Sequence, residues 1–215
     1  LTLKDIVVMV GGSGLYVDAV INGLDDFPPV NADFRSNLTD KLEKEGIESL
    51  QQMLKELDPE HYNTVDLNNT QRLIRALEVC LSSGKKYSSF LAKNNTKRNF
   101  ETIKIGLHAE REIIYERINK RVDIMMQNGL EAEARSLFKL RKLNALQTVG
   151  YRELFEYFEG NLSQEEAIAE IKKNTRRFAK RQLTWYRKDQ TIKWFDYKTP
   201  AKEIIRAIKE KTSLY

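Results

Sequence analysis

Ile6-Val-Val-Met-Val10 is an unbroken apolar run, β-branched at every position but one, and it passes directly into Gly11-Gly-Ser-Gly14 and then a helical pattern. A strand apolar on both faces is one covered by helices on both sides, and such strands belong to parallel sheets. This stretch predicts an α/β core with residues 6–10 as a strand. It also puts Ser13 at the carboxyl edge of the sheet, where open α/β folds bind ligands.

The pattern changes at Pro28-Pro29. Phe34, Leu38 and Leu42 trace one helical stripe, Ile47, Leu50, Leu54 and Leu57 a second, and Leu73, Ile74, Leu77 and Leu81 a third, with no strand signal to about Asn95. Asn69 or Thr70 is placed to cap the third helix and Gly84 to end it. Strand alternation returns over 100–107, where Ile103, Ile105 and Leu107 share a face. Helices then carry Ile114, Ile118, Val122 and Met125, and Leu130, Ala134 and Phe138. A short aromatic helix follows (Leu154, Phe155, Phe158), and Ser163-Gln-Glu-Glu166 is a capping box opening the longest helix. Residues 191–195 read as a last strand and 201–209 as a terminal helix. The expected organisation is part of an α/β core over 1–27, an all-helical insertion over 28–97, and the remainder of the core over 98–215. Pro28-Pro29 and Asn94-Asn95 are the expected hinges.

The charge is unevenly placed. The net charge of +5 is mild for 215 residues, yet between Lys172 and Lys188 there are eight basic residues and no acidic one. Ile168, Ile171, Thr175, Phe178 and Gln182 form the core-facing stripe of that helix, with Lys173, Arg177, Lys180 and Arg181 opposite. Like charges at helical spacing repel unless a polyanion meets them, so a nucleic-acid backbone is the expected partner and a solvated face the alternative. Trp185 and Tyr186 could stack on bases or pack in the core.

Other features leave alternatives open. Arg117 and Arg121, one turn apart, could clamp a diphosphate through their forked donors or pair with nearby glutamates. Gln71, Arg72 and Arg75 occupy the exposed side of an amphipathic helix. The glycine cluster lacks the Lys-Ser/Thr of a P-loop, the spacing of a dinucleotide fingerprint and the second glycine of a hydrolase elbow. It leaves either a helix N-terminus favouring an anion or a tight turn capped by Ser13. Two histidines and the lone Cys80 offer no metal-ligand spacing and no nucleophilic triad, so hydrolase and structural-zinc functions are set aside. One cysteine and no membrane-length apolar run point to a reduced compartment, the cytoplasm, and no membrane partner.

Four segments, in order over nearly the whole chain, resemble motifs of the tRNA dimethylallyltransferase (isopentenyltransferase) family. They are Val10-Gly-Gly-Ser-Gly-Leu-Tyr16, Asn69-Thr-Gln-Arg-Leu-Ile-Arg-Ala-Leu-Glu-Val79, Gln147-Thr-Val-Gly-Tyr-Arg-Glu153 and Ala179-Lys-Arg-Gln-Leu-Thr-Trp185. The resemblance implies a P-loop nucleoside-kinase-like α/β core of nucleotide-binding type, carrying a helical insertion. It implies transfer of a dimethylallyl group from dimethylallyl diphosphate to N6 of the adenosine just 3′ of the anticodon in tRNA, assisted by Mg²⁺, by a monomer.

On the matching positions, Ser13 stands near the reacting amine where the family usually has Thr. Arg121 falls on the family's diphosphate-binding arginine, with Arg117 beside it. The anticodon stem-loop would be held by Arg35, by Gln71, Arg72, Leu73, Ile74 and Arg75, by Gln147, Thr148, Val149, Gly150, Tyr151 and Arg152, and by Lys180, Arg181, Gln182, Thr184 and Arg187. The family's Gly-Lys-Ser/Thr loop and the Asp-Ser motif bearing its general base have no counterpart in these residues, and both precede Leu1 in the family pattern. The chain is therefore expected to be the carboxyl-terminal part of such an enzyme, binding RNA weakly and catalysing nothing alone. A non-catalytic RNA-binding domain and a P-loop kinase of small nucleotides are the competing readings; the kinase predicts no tRNA affinity, against which the acid-free run argues.

Overall fold

The computed structural model describes residues 5–91 and 98–212; the hinge expected at Asn94-Asn95 lies outside them. The chain divides into two compact units, Leu15–Phe100 and the combination of Leu1–Gly14 with Glu101–Tyr215.

The unit Leu15–Phe100 is helical among its described residues. It contains α1 (Gly14–Ile21, which begins at the unit boundary), α2 (Ala32–Glu45), α3 (Ile47–Leu57), α4 (Pro59–Tyr62) and α5 (Thr70–Ser83). The apolar stripes meet as their spacing predicts: Leu38, Leu50, Leu54, Leu73, Ile74, Ala76 and Leu77 form one buried cluster. Local chemistry sets the ends of the helices. Asn69 caps α5 by accepting from the Arg72 N–H, and Gly84 ends it at φ 67°, a left-handed position that glycine adopts without cost. Arg98 closes α1, donating to the Ala19 and Ile21 carbonyls at 2.9 and 3.3 Å, carbonyls that have no partner inside the helix. Asp58 is fully buried and caps α4, accepting from the His61 N–H and from both the N–H and hydroxyl of Ser88. Burial alone would raise its pKa, but these donors outweigh it and hold the carboxyl below its ordinary value.

The other unit carries β1 (Ile105–His108), α6 (Arg111–Gln127), α7 (Leu130–Leu137), α8 (Tyr151–Phe158), α9 (Gln164–Tyr186), β2 (Lys193–Asp196) and α10 (Ala201–Thr212). β1 and β2 pair in parallel, Ile105 opposite Lys193 and His108 opposite Asp196, and the helices between them make the crossover that a parallel pair requires. Val122, Ala134, Leu154, Phe155, Ala167 and Ile171 fuse α6 to α9 into one buried cluster. Ser163 caps α9 reciprocally with Glu166, as the sequence predicts.

Three expectations are corrected. Residues 6–10 form no strand and are exposed, Val10 at 90% and Val8 at 80%. A strand exists only through a ladder, and among the described residues β1 and β2 pair only with each other. Ser13 therefore does not sit at the end of a strand; it is an exposed residue directly ahead of α1. The expected strand over 100–107 is shortened to β1 for the same reason, because the ladder with β2 starts at its level. The core stripe of α9 holds at Ile171, 1% exposed, but not at Phe178, 46% exposed and outside the buried cluster.

Candidate functional site

The positive residues of α9 divide along its length. In the first half they are engaged by the fold: Lys172 pairs with Asp123 of α6 at 2.6 Å, Lys173 with Glu170 at 2.6 Å, and Arg176 donates to the Asn119 side chain at 2.7 Å. The sequence pattern puts Lys173 on the free basic face, and Glu170, one turn back, removes it from there. In the second half the charge is uncompensated. Lys180, Arg181 and Lys188 have no acidic partner among the described residues, and with Thr184 and Trp185 they line an open groove of about 310 Å³. Trp185 is 45% exposed, and the Thr184 hydroxyl turns back to the Lys180 carbonyl. A smaller groove of about 240 Å³ lies between His108, Leu183, Arg187 and Trp194.

The glycine-rich stretch runs against this same end of α9. A Cβ on Gly12 would fall 2.5 Å from the Gln182 amide nitrogen, and one on Gly14 2.5 Å from the Trp185 indole. Side chains of α9 occupy the space that side chains on these residues would need. Close approach of backbone to α9, with Ser13 carried between the two contacts, is what the glycines make possible here.

The segment 147–152 leads into α8. Gly150 has φ 105° and ψ −60°, a conformation closed to other residues without strain, and its N–H donates to Glu153 Oε2 at 2.8 Å. The other oxygen of Glu153, a residue 4% exposed, accepts from Asn174 of α9 at 2.8 Å and from Arg152 at 3.3 Å. Gln147 donates to the Arg141 carbonyl at 2.6 Å. The Tyr151 hydroxyl donates to the Glu133 carboxylate, which pushes the phenol's pKa up. Val149 packs against the buried cluster, whereas Gln147, Thr148 and Arg152 are exposed or partly so.

Arg117 and Arg121 both lie exposed on α6. Arg117 sits over the Tyr197 ring at 5.6 Å, and neither residue forms an ion pair with a glutamate among the described residues. Pairing with neighbouring glutamates, the competing use of these two arginines, is not what the fold does with them.

In the helical unit, Glu78 is 2% exposed and gathers two arginines. Arg35 holds it through Nε at 2.6 Å and Nη2 at 2.8 Å, and Arg75 Nη1 stands at 3.8 Å. Arg75 also lies over the Phe27 ring at 5.3 Å. Gln71 and Arg72 are exposed as expected. Leu73 and Ile74 are not available to a ligand: at 0% and 3% exposure they belong to the core, because their positions on α5 face α2 and α3.

The sequence reading missed Glu78, Glu153 and Asn174. For Glu153 a signal existed, since a glutamate three residues after a helix-starting glycine is where a carboxylate reaches back to the first N–H. Among the described residues no group of three or more His, Cys, Asp or Glu is placed to hold a metal ion. No described helix is long and apolar enough to cross a membrane.

An α/β protein with a helical second unit and an acid-free basic groove is the class these observations define. The IPP transferase family model matches residues 2–189. A tRNA dimethylallyltransferase of Christiangramia forsetii is 58% identical over 206 residues, 96% of this chain and 68% of the relative, and one of Flavobacterium johnsoniae is 55% identical over 213 residues, 96% of this chain and 69% of the relative. Among solved structures, the full-length tRNA isopentenylpyrophosphate transferase of Bacillus halodurans is 35% identical with a TM-score of 0.56, covering 93% of this chain and 63% of that one. A eukaryotic dimethylallyltransferase acting on tRNA, 23% identical with a TM-score of 0.68, covers 94% of this chain and 55% of its own and shares the fold. The chain belongs to the IPP transferase family, a family of tRNA prenyltransferases. It spans about two thirds of the length of the curated relatives it matches.

Proposed function

We propose that this chain is the tRNA-recognising part of an enzyme that transfers a dimethylallyl group from dimethylallyl diphosphate to N6 of the adenosine 3′ of the anticodon. The observation that carries the reading is the groove on α9, walled by Lys180, Arg181 and Lys188, without an acid and with half-exposed Trp185. Cations that no carboxylate neutralises suit a phosphate backbone, and an exposed indole suits an unstacked base. Membership of a tRNA prenyltransferase family supports the same substrate.

In the reaction the N6 amine attacks the allylic carbon, the carbon–oxygen bond to diphosphate breaks, and the amine gives up a proton to a base. Diphosphate leaves with that bond's electron pair. Arg121, exposed and without an acidic partner among the described residues, is suited to the charge that develops on the departing diphosphate, with Arg117 one turn before it. Ser13 supplies the hydroxyl beside the amine. Gln147, Thr148, Arg152, Lys180, Arg181, Gln182 and Arg187, with Arg35, Gln71, Arg72 and Arg75 of the helical unit, hold the stem-loop. Mg²⁺ is the cation the family resemblance implies, and it would supply positive charge to the departing diphosphate.

The 215 residues contain no Gly-Lys-Ser or Gly-Lys-Thr loop and no Asp-Ser pair. On this reading they bind RNA as a cytoplasmic monomer with a P-loop-type core and do not transfer the group by themselves. The test is transfer of labelled dimethylallyl to an anticodon stem-loop, run beside the Christiangramia forsetii relative. Binding without transfer by this chain, with transfer by the relative, is expected. Transfer by this chain alone would overturn the division of labour, and absence of stem-loop binding would overturn the reading as a whole.

A further inference from the structure

We infer that Glu153 and Asn174 are positioning residues that lock the 147–152 segment to the basic helix, so that two RNA-contacting elements are presented as one surface. The inference rests on the RNA-binding reading above for its purpose, though not for its geometry.

Glu153 is a carboxylate at 4% exposure on α8, the helix that carries Leu154 and Phe155 of the buried cluster. A carboxyl group costs several kcal/mol to bury without partners, and this one has three donors. Oε2 takes the Gly150 N–H at 2.8 Å; Oε1 takes Asn174 Nδ2 at 2.8 Å and Arg152 Nη2 at 3.3 Å. The chain of contacts continues, because Asn174 Oδ1 accepts from Arg177 Nη1 at 3.3 Å. A line of hydrogen bonds therefore runs from the backbone of the Gly150 turn through Glu153 to Asn174 and out to Arg177 on α9.

Each link has a fixed direction. Gly150 N–H, Asn174 Nδ2 and Arg152 Nη2 donate, so the residue at 153 must accept on both oxygens, which a carboxylate does and an amide does not. Asn174 must in turn donate inward and accept outward, which an amide does and a carboxylate does not. Gly150 holds a conformation that other residues adopt only under strain, and such conformations persist where the surroundings over-determine them. Glu153 is the group that does so here. A helix cap alone would need only the bond to Gly150; the part-buried bond across to α9 is what a cap does not require.

The polarity of the network supplies the test. In Glu153→Gln one acceptor becomes a donor facing Asn174 Nδ2. The Asn174 amide can turn to accept it, but then presents its NH₂ to Arg177 and gives up that contact. In Asn174→Asp two carboxylates face each other. When both substitutions are combined, the new amide on α8 donates to the new carboxylate on α9, which still accepts from Arg177, and the line is rebuilt with one bond reversed and the 3.3 Å Arg152 contact given up.

The 215-residue chain and these three variants are compared by amide exchange over 147–152, by melting temperature and by affinity for an anticodon stem-loop. Each single variant is expected to speed exchange at 147–152 and to weaken stem-loop binding about tenfold, and the double variant to recover both. Asn174→Ala, which removes the cross-link and leaves Glu153 Oε1 with only the 3.3 Å contact to Arg152, should weaken binding and lower the melting temperature, and the double variant should exceed it in both. Single variants that exchange and bind like the parent would overturn the inference. So would a double variant no better than the singles, since loss without rescue marks a structural role alone. Failure of the parent to bind the stem-loop would instead refute the RNA reading, and the exchange pattern would still decide whether the pair holds the segment.

Discussion

Glu78, 2% exposed, and Arg35, whose side chain is 51% exposed, are joined by two hydrogen bonds of 2.6 and 2.8 Å between α5 and α2. The carboxylate is inside and the guanidinium reaches outside, with its remaining donor, Nη1, free of this pair. The Arg35 pKa is raised, first by the hydrogen bond to Glu78, with burial acting against it. The pair both fastens two helices and fixes where one cation of the helical unit stands.

Arg35→Ala leaves the Glu78 carboxylate buried with only Arg75, 3.8 Å away. It should lower unfolding stability by about 1–3 kcal/mol, measured by urea denaturation. Adding Glu78→Gln removes the uncompensated charge and should return part of that loss. A double variant weaker than Arg35→Ala alone would contradict this assignment.

Gly12 and Gly14 should respond differently to alanine although both lie against α9. At Gly12 the new methyl meets the end of the flexible Gln182 side chain, which can move aside; at Gly14 it meets the rigid indole of Trp185. Gly12→Ala should be tolerated. Gly14→Ala should displace Trp185, shift tryptophan fluorescence and weaken stem-loop binding. Equal, silent behaviour of the two variants would remove the close packing inferred here.

Asp189 fixes the approach to the sheet, bonded to Lys104 Nζ at 2.6 Å and to the Thr191 hydroxyl and N–H. The Lys104 bond, followed by those to Thr191, holds its carboxyl at about 2 against an ordinary 3.8. Because the folded value is the lower one, this contribution to stability is complete above the ordinary value and is lost as pH falls from there through about 2. Asp189→Asn should therefore melt lower than the parent at pH 7, the difference vanishing toward pH 2. A difference unchanged in acid would mean that the charge of Asp189 is not what stabilises this corner.

Much of this fold is legible locally and little of it at a distance. Asn69, Gly84 and Ser163 announce helix ends because a cap depends on the next few residues, and all three act as read. Residues 6–10 carry a strand's composition, yet strand formation depends on a neighbour that composition does not supply. The basic helix is plain in sequence, but which cations remain free is decided by Asp123, far away in the chain, and by Glu170. Leu73 and Ile74 sit within a motif that reads as RNA-contacting and are buried, while Glu78 and Glu153 sit in motifs and act from inside. A buried carboxylate looks like any other glutamate until its donors are placed around it.

The most direct measurement is the salt dependence of anticodon stem-loop binding by this chain, compared with the Lys180→Ala, Arg181→Ala, Lys188→Ala triple variant. Each phosphate contact contributes roughly 0.7 to 0.9 to the slope of log affinity against log salt. Loss of three contacts should reduce the slope by roughly 2 to 3 and weaken binding at low salt, with the melting temperature unchanged because these side chains have no acidic partner among the described residues and line an open groove. A parent that binds with no salt dependence, or a triple variant with the parent's slope, would contradict the claim that this groove on α9 meets the RNA backbone.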